Sequence, residues 1–135
     1  MMSYKNRFSA LDAHYTQSAH TITVRGRLFD LSSPVVMGIL NVTPESFYAD
    51  SRTFSEEAIA RRADEIVGQG GAILDIGAFS TRPGGEEVTQ QEEMRRLRLA
   101  LAVATRRHPD VIVSVDTFRP DVARMAVEEI GRAYV

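Results

Sequence analysis

The sequence predicts an α/β fold in which short parallel strands alternate with amphipathic helices, and three observations carry that expectation. Three short apolar runs, Val35–Leu40, Ala72–Ile76 and Val111–Val115, each give way to polar residues. Between them lie longer stretches whose apolar residues recur every three or four positions. The runs begin about 35 to 40 residues apart, the spacing of strand–helix units joined by right-handed crossovers. A doubly wound open sheet and a (β/α)8 barrel both satisfy this pattern. A complete barrel needs eight such units and about 200 residues or more, and the three units of this 135-residue chain are less than half of one.

The elements follow in order. Residues 1–20 are polar and patternless, carry two histidines, His14 and His20, and read as a leader. Thr21 to Leu31 alternates around Gly26, as a short β-hairpin does, and Ser32-Ser33-Pro34 ends it. The run from Val35 has no polar alternation, so it reads as a strand buried on both faces. It turns polar at Asn41, and Pro44 bars helix at Thr43.

A helix is expected to start near Ser55, with Phe54 and Ile59 as a hydrophobic staple and Glu56 and Glu57 in the first turn. Ile59, Ala63, Ile66 and Val67 share its inner face, with Arg61, Arg62, Asp64 and Glu65 outside, and Gly70-Gly71 stops it. Ala72–Gly77 is the second strand of the repeat. Thr89 and Glu92 then have capping-box spacing, and Met94, Leu97, Leu101 and Ala104 mark a second buried face. Arg95, Arg96, Arg98, Arg106 and Arg107 read as its solvated side. Pro109-Asp110 breaks that helix, and Val111–Asp116 is the third strand. Pro120 suits the first turn of a third helix with Val122, Ala126 and Ile130 inward and Gly131 at its close. Ala133–Val135 reads as the start of a fourth strand.

Bulk composition excludes several classes. With 44% hydrophobic and 25% charged residues the chain is ordinary for a globular protein. No apolar run approaches the roughly 18 residues of a membrane span, and the first residues lack a secretory signal's apolar core. The absence of cysteine removes disulfides and thiolate metal sites and suits a cytoplasmic protein. A net charge of −2 argues against a nucleic-acid partner. Lys5 is the only lysine.

The chemistry is expected where strands end. Asn41, Asp75 and Asp116 each lie at or near the polar end of a strand, and neighbouring parallel strands are about 4.8 Å apart, so the three would converge on one rim. Asn and Asp offer the hard oxygens that suit Mg²⁺ bridging to phosphate. Thr81 and Arg82 are placed to donate to a phosphate, the arginine in bidentate fashion. A carboxylate such as Asp116 accepts hydrogen bonds from a ring with several N–H donors. The same residues also fit local loop caps and a surface charge. No pattern for nucleophilic catalysis is present, and Gly68, Gly70 and Gly71 close a helix rather than open one.

Met37-Gly-Ile-Leu-Asn-Val-Thr-Pro-Glu-Ser-Phe47 resembles the signature of the dihydropteroate synthase family. Asp75-Ile-Gly-Ala-Phe-Ser-Thr-Arg-Pro-Gly84 and Ser114-Val-Asp-Thr117 agree with it in order and spacing. The likeness runs from about Phe29 to the end. It implies a pterin-binding (β/α)8 TIM barrel of which residues 21–135 supply the hairpin, three βα units and the start of strand four. It also implies condensation of 6-hydroxymethyl-7,8-dihydropterin diphosphate with 4-aminobenzoate in folate synthesis, releasing diphosphate. Asn41 then matches a Mg²⁺ ligand, Thr81 a diphosphate contact and Asp116 the carboxylate that holds the pterin. Phe47 and Pro83 match loop positions near the aminobenzoate. The implied mechanism is dissociative, through a cationic pterin stabilised by charge and position, which explains why no nucleophile is visible.

Departures from the family pattern fall in loops: Glu45 for Asp, Tyr48-Ala-Asp-Ser51 for a Gly-containing turn, and Phe79 for Glu or Gln. The family's pattern continues past the point matching Val135, with an Asn-Asp strand and a later Asp, Lys and Arg/His pair, so the chain reads as incomplete. Homodimers are usual for the full-length family. Two further readings stand beside the synthase: a binding protein for pterin or phosphate without catalysis, and another pterin-barrel enzyme such as a methyltetrahydrofolate methyltransferase. The Asn-Val-Thr-Pro and Ser-Thr-Arg-Pro-Gly loops argue against the last.

Overall fold

The computed structural model describes residues 20–43, 56–79 and 87–132. Contacts divide the chain into two units between Val35 and Val36. In the first, β1 (Thr21–Val24) pairs antiparallel with β2 (Arg27–Asp30), as the alternation around Gly26 predicts. The two residues between them, Arg25 at φ 53° and Gly26 at φ 70°, are both left-handed, the geometry of the tight hairpin turn whose twist matches its strands. Asp30 accepts bonds from the Ser32 amide and hydroxyl, each 2.8 Å, which hold its carboxyl below its usual pKa.

The second unit is the sheet and its helices. Strands β3 (Val36–Asn41), β4 (Gly71–Gly77) and β5 (Ile112–Asp116) are parallel, in the order β3-β4-β5. Helix α1 (Glu56–Gly68) joins the first two, α2 (Gln90–Arg107) the next two, and α3 (Pro120–Arg132) follows β5. Helix α1 packs on β3 and β4, and α2 lies between α1 and α3. The core is the layer between sheet and helices: Leu40, Val42, Leu74 and Ile76 from the sheet side meet Ile59, Ala63, Leu97, Ala100 and Leu101 from the helices.

Most expected faces are where periodicity put them. Ile59, Ala63 and Ile66 are buried on α1, as are Leu97, Leu101 and Ala104 on α2 and Val122 and Ala126 on α3. Val67, Met94 and Ile130 are half-buried against the same core. Gly70 ends α1 at φ 95° with its amide on the Val67 carbonyl, 3.0 Å. Thr89 caps α2, accepting from the Glu92 amide at 3.2 Å. Gly131 does not close α3, which runs on to Arg132. The expected Phe54 staple, the Ser55 cap and the strand at 133–135 lie outside the described residues.

Two expectations are corrected. First, β3 is buried on its helix-facing side alone: Leu40 is fully buried, whereas Met37 and Ile39 are 52% and 56% exposed. In a closed barrel that other face is the interior. Second, Arg96 is not on the solvated side of α2; it is 4% exposed. Because α2 is flanked by helices on two sides, its buried arc is wide enough to take in Glu93, Arg96, Ala100 and Val103 as well as the Leu97 stripe. The Arg96 stem lies in that arc while its Nε donates to Glu92 Oε1 at 2.8 Å. Glu92, drawn to Arg95 and Arg96, is acidified to a pKa of about 2, chiefly by its bonds to Arg95.

Candidate functional site

Strand alternation sends every second residue to the face away from the helices. Register then arranges nine residues in three ranks: Met37, Ile73 and Ile112; next Ile39, Asp75 and Ser114; and at the carboxyl end Asn41, Gly77 and Asp116. The face therefore passes from apolar to polar along the strands. Parallel α/β architectures place their ligands at this carboxyl end.

Asn41 and Asp116 occupy the terminal rank as expected, both exposed, with Gly77 between them. A Cβ at Gly77 would lie 3.5 Å from Asn41 Oδ1 and 3.8 Å from Asp116 Cβ. Glycine thus keeps any side chain out of the gap between the Asn41 amide oxygen and Asp116. Asp75 is corrected: it lies one rank below the rim, beside Ile39 and Ser114, and is half-buried. Thr81, Arg82, Pro83 and Phe47 lie outside the described residues.

The connection that follows Asp116 is tied down by a residue that sequence reading passed over. Glu93 on α2 is fully buried, and its carboxylate accepts the Thr117 hydroxyl at 2.6 Å and one arm of the Arg119 guanidinium. The other arm of Arg119 donates to the Val88 carbonyl at 2.7 Å. Its guanidinium carbon lies 5.0 Å from the centre of the Phe118 ring and 5.4 Å from that of Phe79. Those rings meet edge to face at 5.2 Å. One signal for Glu93 was available: it precedes Leu97 by four residues and Ala100 by seven, so it shares the buried face of α2.

A metal at the rim would have few ligands from this part of the chain. Among the described residues no three His, Cys, Asp or Glu side chains gather into a metal cluster. Asn41 Oδ1 remains as a single neutral oxygen turned over Gly77. That fits a hydrated Mg²⁺ shared with a substrate phosphate better than a metal caged by protein.

The family model of pterin binding enzymes matches residues 37–135. The chain belongs to that family. Dihydropteroate synthase of Escherichia coli is 41% identical over 100 residues, which are 74% of this chain and 35% of that protein. The folic acid synthesis protein fol1 of Schizosaccharomyces pombe is 40% identical over 98 residues, 73% of this chain and 13% of that one. The solved dihydropteroate synthase of Xanthomonas albilineans with 4-aminobenzoic acid superposes with a TM-score of 0.74 at 37% identity, over 83% of this chain and 41% of that one. That of Burkholderia cenocepacia with 7,8-dihydropteroate gives 0.61 at 35%, over 76% and 32%. The chain spans about a third of the length of the Escherichia coli relative. Its three βα units thus match part of a pterin-binding (β/α)8 barrel, which decides between the two architectures open to the sequence.

Proposed function

We propose that the chain contributes the pterin and diphosphate side of a dihydropteroate synthase site, in which 6-hydroxymethyl-7,8-dihydropterin diphosphate is condensed with 4-aminobenzoate. The observation that supports this most is the terminal rank, Asn41–Gly77–Asp116, which sets an oxygen suited to Mg²⁺ and a carboxylate suited to a ring bearing N–H donors on either side of a residue without a side chain. The X. albilineans and B. cenocepacia relatives were solved with 4-aminobenzoic acid and with 7,8-dihydropteroate, a substrate and the product of this reaction.

In this reading Asp116 accepts hydrogen bonds from the pterin and faces the positive charge that develops on it as diphosphate departs. Asn41 would offer its amide oxygen to a Mg²⁺ ion, which would supply positive charge to the diphosphate. Thr81 and Arg82 are proposed as its further anchors, and Phe47 and Pro83 as contacts for the aminobenzoate. Catalysis is then positioning and charge stabilisation, with no covalent adduct to the protein.

Because the chain spans part of its relatives, a second reading has the rim bind pterin without turnover. Purified protein incubated with both substrates and Mg²⁺ separates them. Dihydropteroate formation supports the synthase; saturable pterin diphosphate binding without product supports the binding protein. No binding at all removes both.

A further inference from the structure

We propose that Arg119 is a positioning residue for this site, fixing the connection after Asp116 and both ends of the connection between β4 and α2. The proposal rests on the reading of Asp116 as the pterin-holding carboxylate. Arg119 lies three residues after Asp116, and its contacts reach the connection after β5 and the described ends of the connection between β4 and α2. Phe79, under one edge of its guanidinium, is the second residue after β4. Val88, whose carbonyl it holds, directly precedes the α2 cap Thr89. Glu93 is the post to which it is tied.

The physical case is the full burial of Glu93. A carboxylate removed from water must keep its partners, and both come from the connection after β5: the Thr117 hydroxyl and the Arg119 guanidinium. Thr117 Oγ1 also accepts the Arg119 amide at 3.2 Å, closing a short turn. Displacing this turn would strand a buried charge, so the turn is held, and with it the direction of the Asp116 carboxylate. A planar guanidinium suits the post because it bonds in its plane to two acceptors while its charge sits over two aromatic rings. Lysine offers a point charge and no such plane.

Two variants of different geometry test this, Arg119→Met and Glu93→Gln, each checked by its melting curve, with Arg119→Lys as the conservative control. In the ligand-free protein, amide hydrogen exchange at residues 117–119 and at Val88 and Phe79 should quicken at least tenfold, with Leu40 and Leu74 unchanged. Unchanged exchange at the rim amides overturns the proposal. Affinity for 6-hydroxymethylpterin, followed by its fluorescence, should fall at least fivefold in Arg119→Met, less in Arg119→Lys, and no further in Arg119→Met combined with Asp116→Asn than in Asp116→Asn alone. A purely structural role would lower the melting temperature and leave affinity intact, or add its loss to that of Asp116→Asn; either overturns positioning through Asp116. If the unaltered protein binds no pterin, the function proposed above fails, while the exchange measurement still decides whether Arg119 holds the rim.

Discussion

Ile66 fills the space in which Gly38 would carry a side chain: a Cβ there would lie 2.2 Å from Ile66 Cγ2. The same methyl would lie 2.5 Å from a Cβ at Gly71, so one isoleucine on α1 nests against two glycines on neighbouring strands. This contact sets how closely the helix approaches the sheet that carries the rim. Gly38→Ala should therefore destabilise the protein by about 1–3 kcal/mol through overpacking, read from urea unfolding. Combined with Ile66→Ala its effect should be smaller than the sum of the two, because the truncated side chain makes room. Additive losses would contradict the contact.

At Gly77 the opposite holds, since an added Cβ meets nothing closer than 3.5 Å. Gly77→Ala should melt within a few degrees of the unaltered protein yet lose at least tenfold in pterin affinity, because the methyl occupies the gap between Asn41 and Asp116. Equal affinity would mean that the gap is not used.

Asp64 links α1 to the end of α2. It accepts Arg107 Nε at 2.6 Å and lies 2.7 Å from His108 Nε2. The hydrogen bonds from Arg107 do most to hold its carboxyl down, from 3.8 to about 2. A carboxyl that titrates lower when folded stabilises the fold above its unfolded value, and that share is lost as pH falls from about 4 towards 2. The melting temperature of the unaltered protein should exceed that of Asp64→Asn at pH 6, and the gap should close below pH 4. Salt should narrow it too, because the pair is partly exposed. A gap independent of pH would exclude this pairing as its source.

Thr89→Ala should cost about 1 kcal/mol, the usual value of a lost helix N-cap, measured by chemical unfolding. Serine at the same position should restore most of it.

Strands, helices and the order of both were legible because each depends on a local period. The hairpin was legible because residues at positive φ suit glycine, here at Gly26. The rim was legible in part: Asn41 and Asp116 end their strands, but only register shows Asp75 one rank lower and Gly77 in the gap. The Glu93–Arg119 pair was not legible. Its members are 26 residues apart, and a buried charge is written with the same letter as a solvated one. Arg96 misled for the same reason, since its burial depends on α2 having helices on both sides. The exposure of Met37 and Ile39 shows the converse, because an apolar run fixes what can be buried and its neighbours fix what is.

The central claim is that Asn41 and Asp116 face one ligand across Gly77. Calorimetric titration of the protein and of Asp116→Asn with 6-hydroxymethyl-7,8-dihydropterin diphosphate, with and without Mg²⁺, tests it most directly. Saturable binding is expected, weakened at least tenfold in Asp116→Asn and again when Mg²⁺ is withdrawn. Absent binding, or equal binding in both proteins, would contradict it.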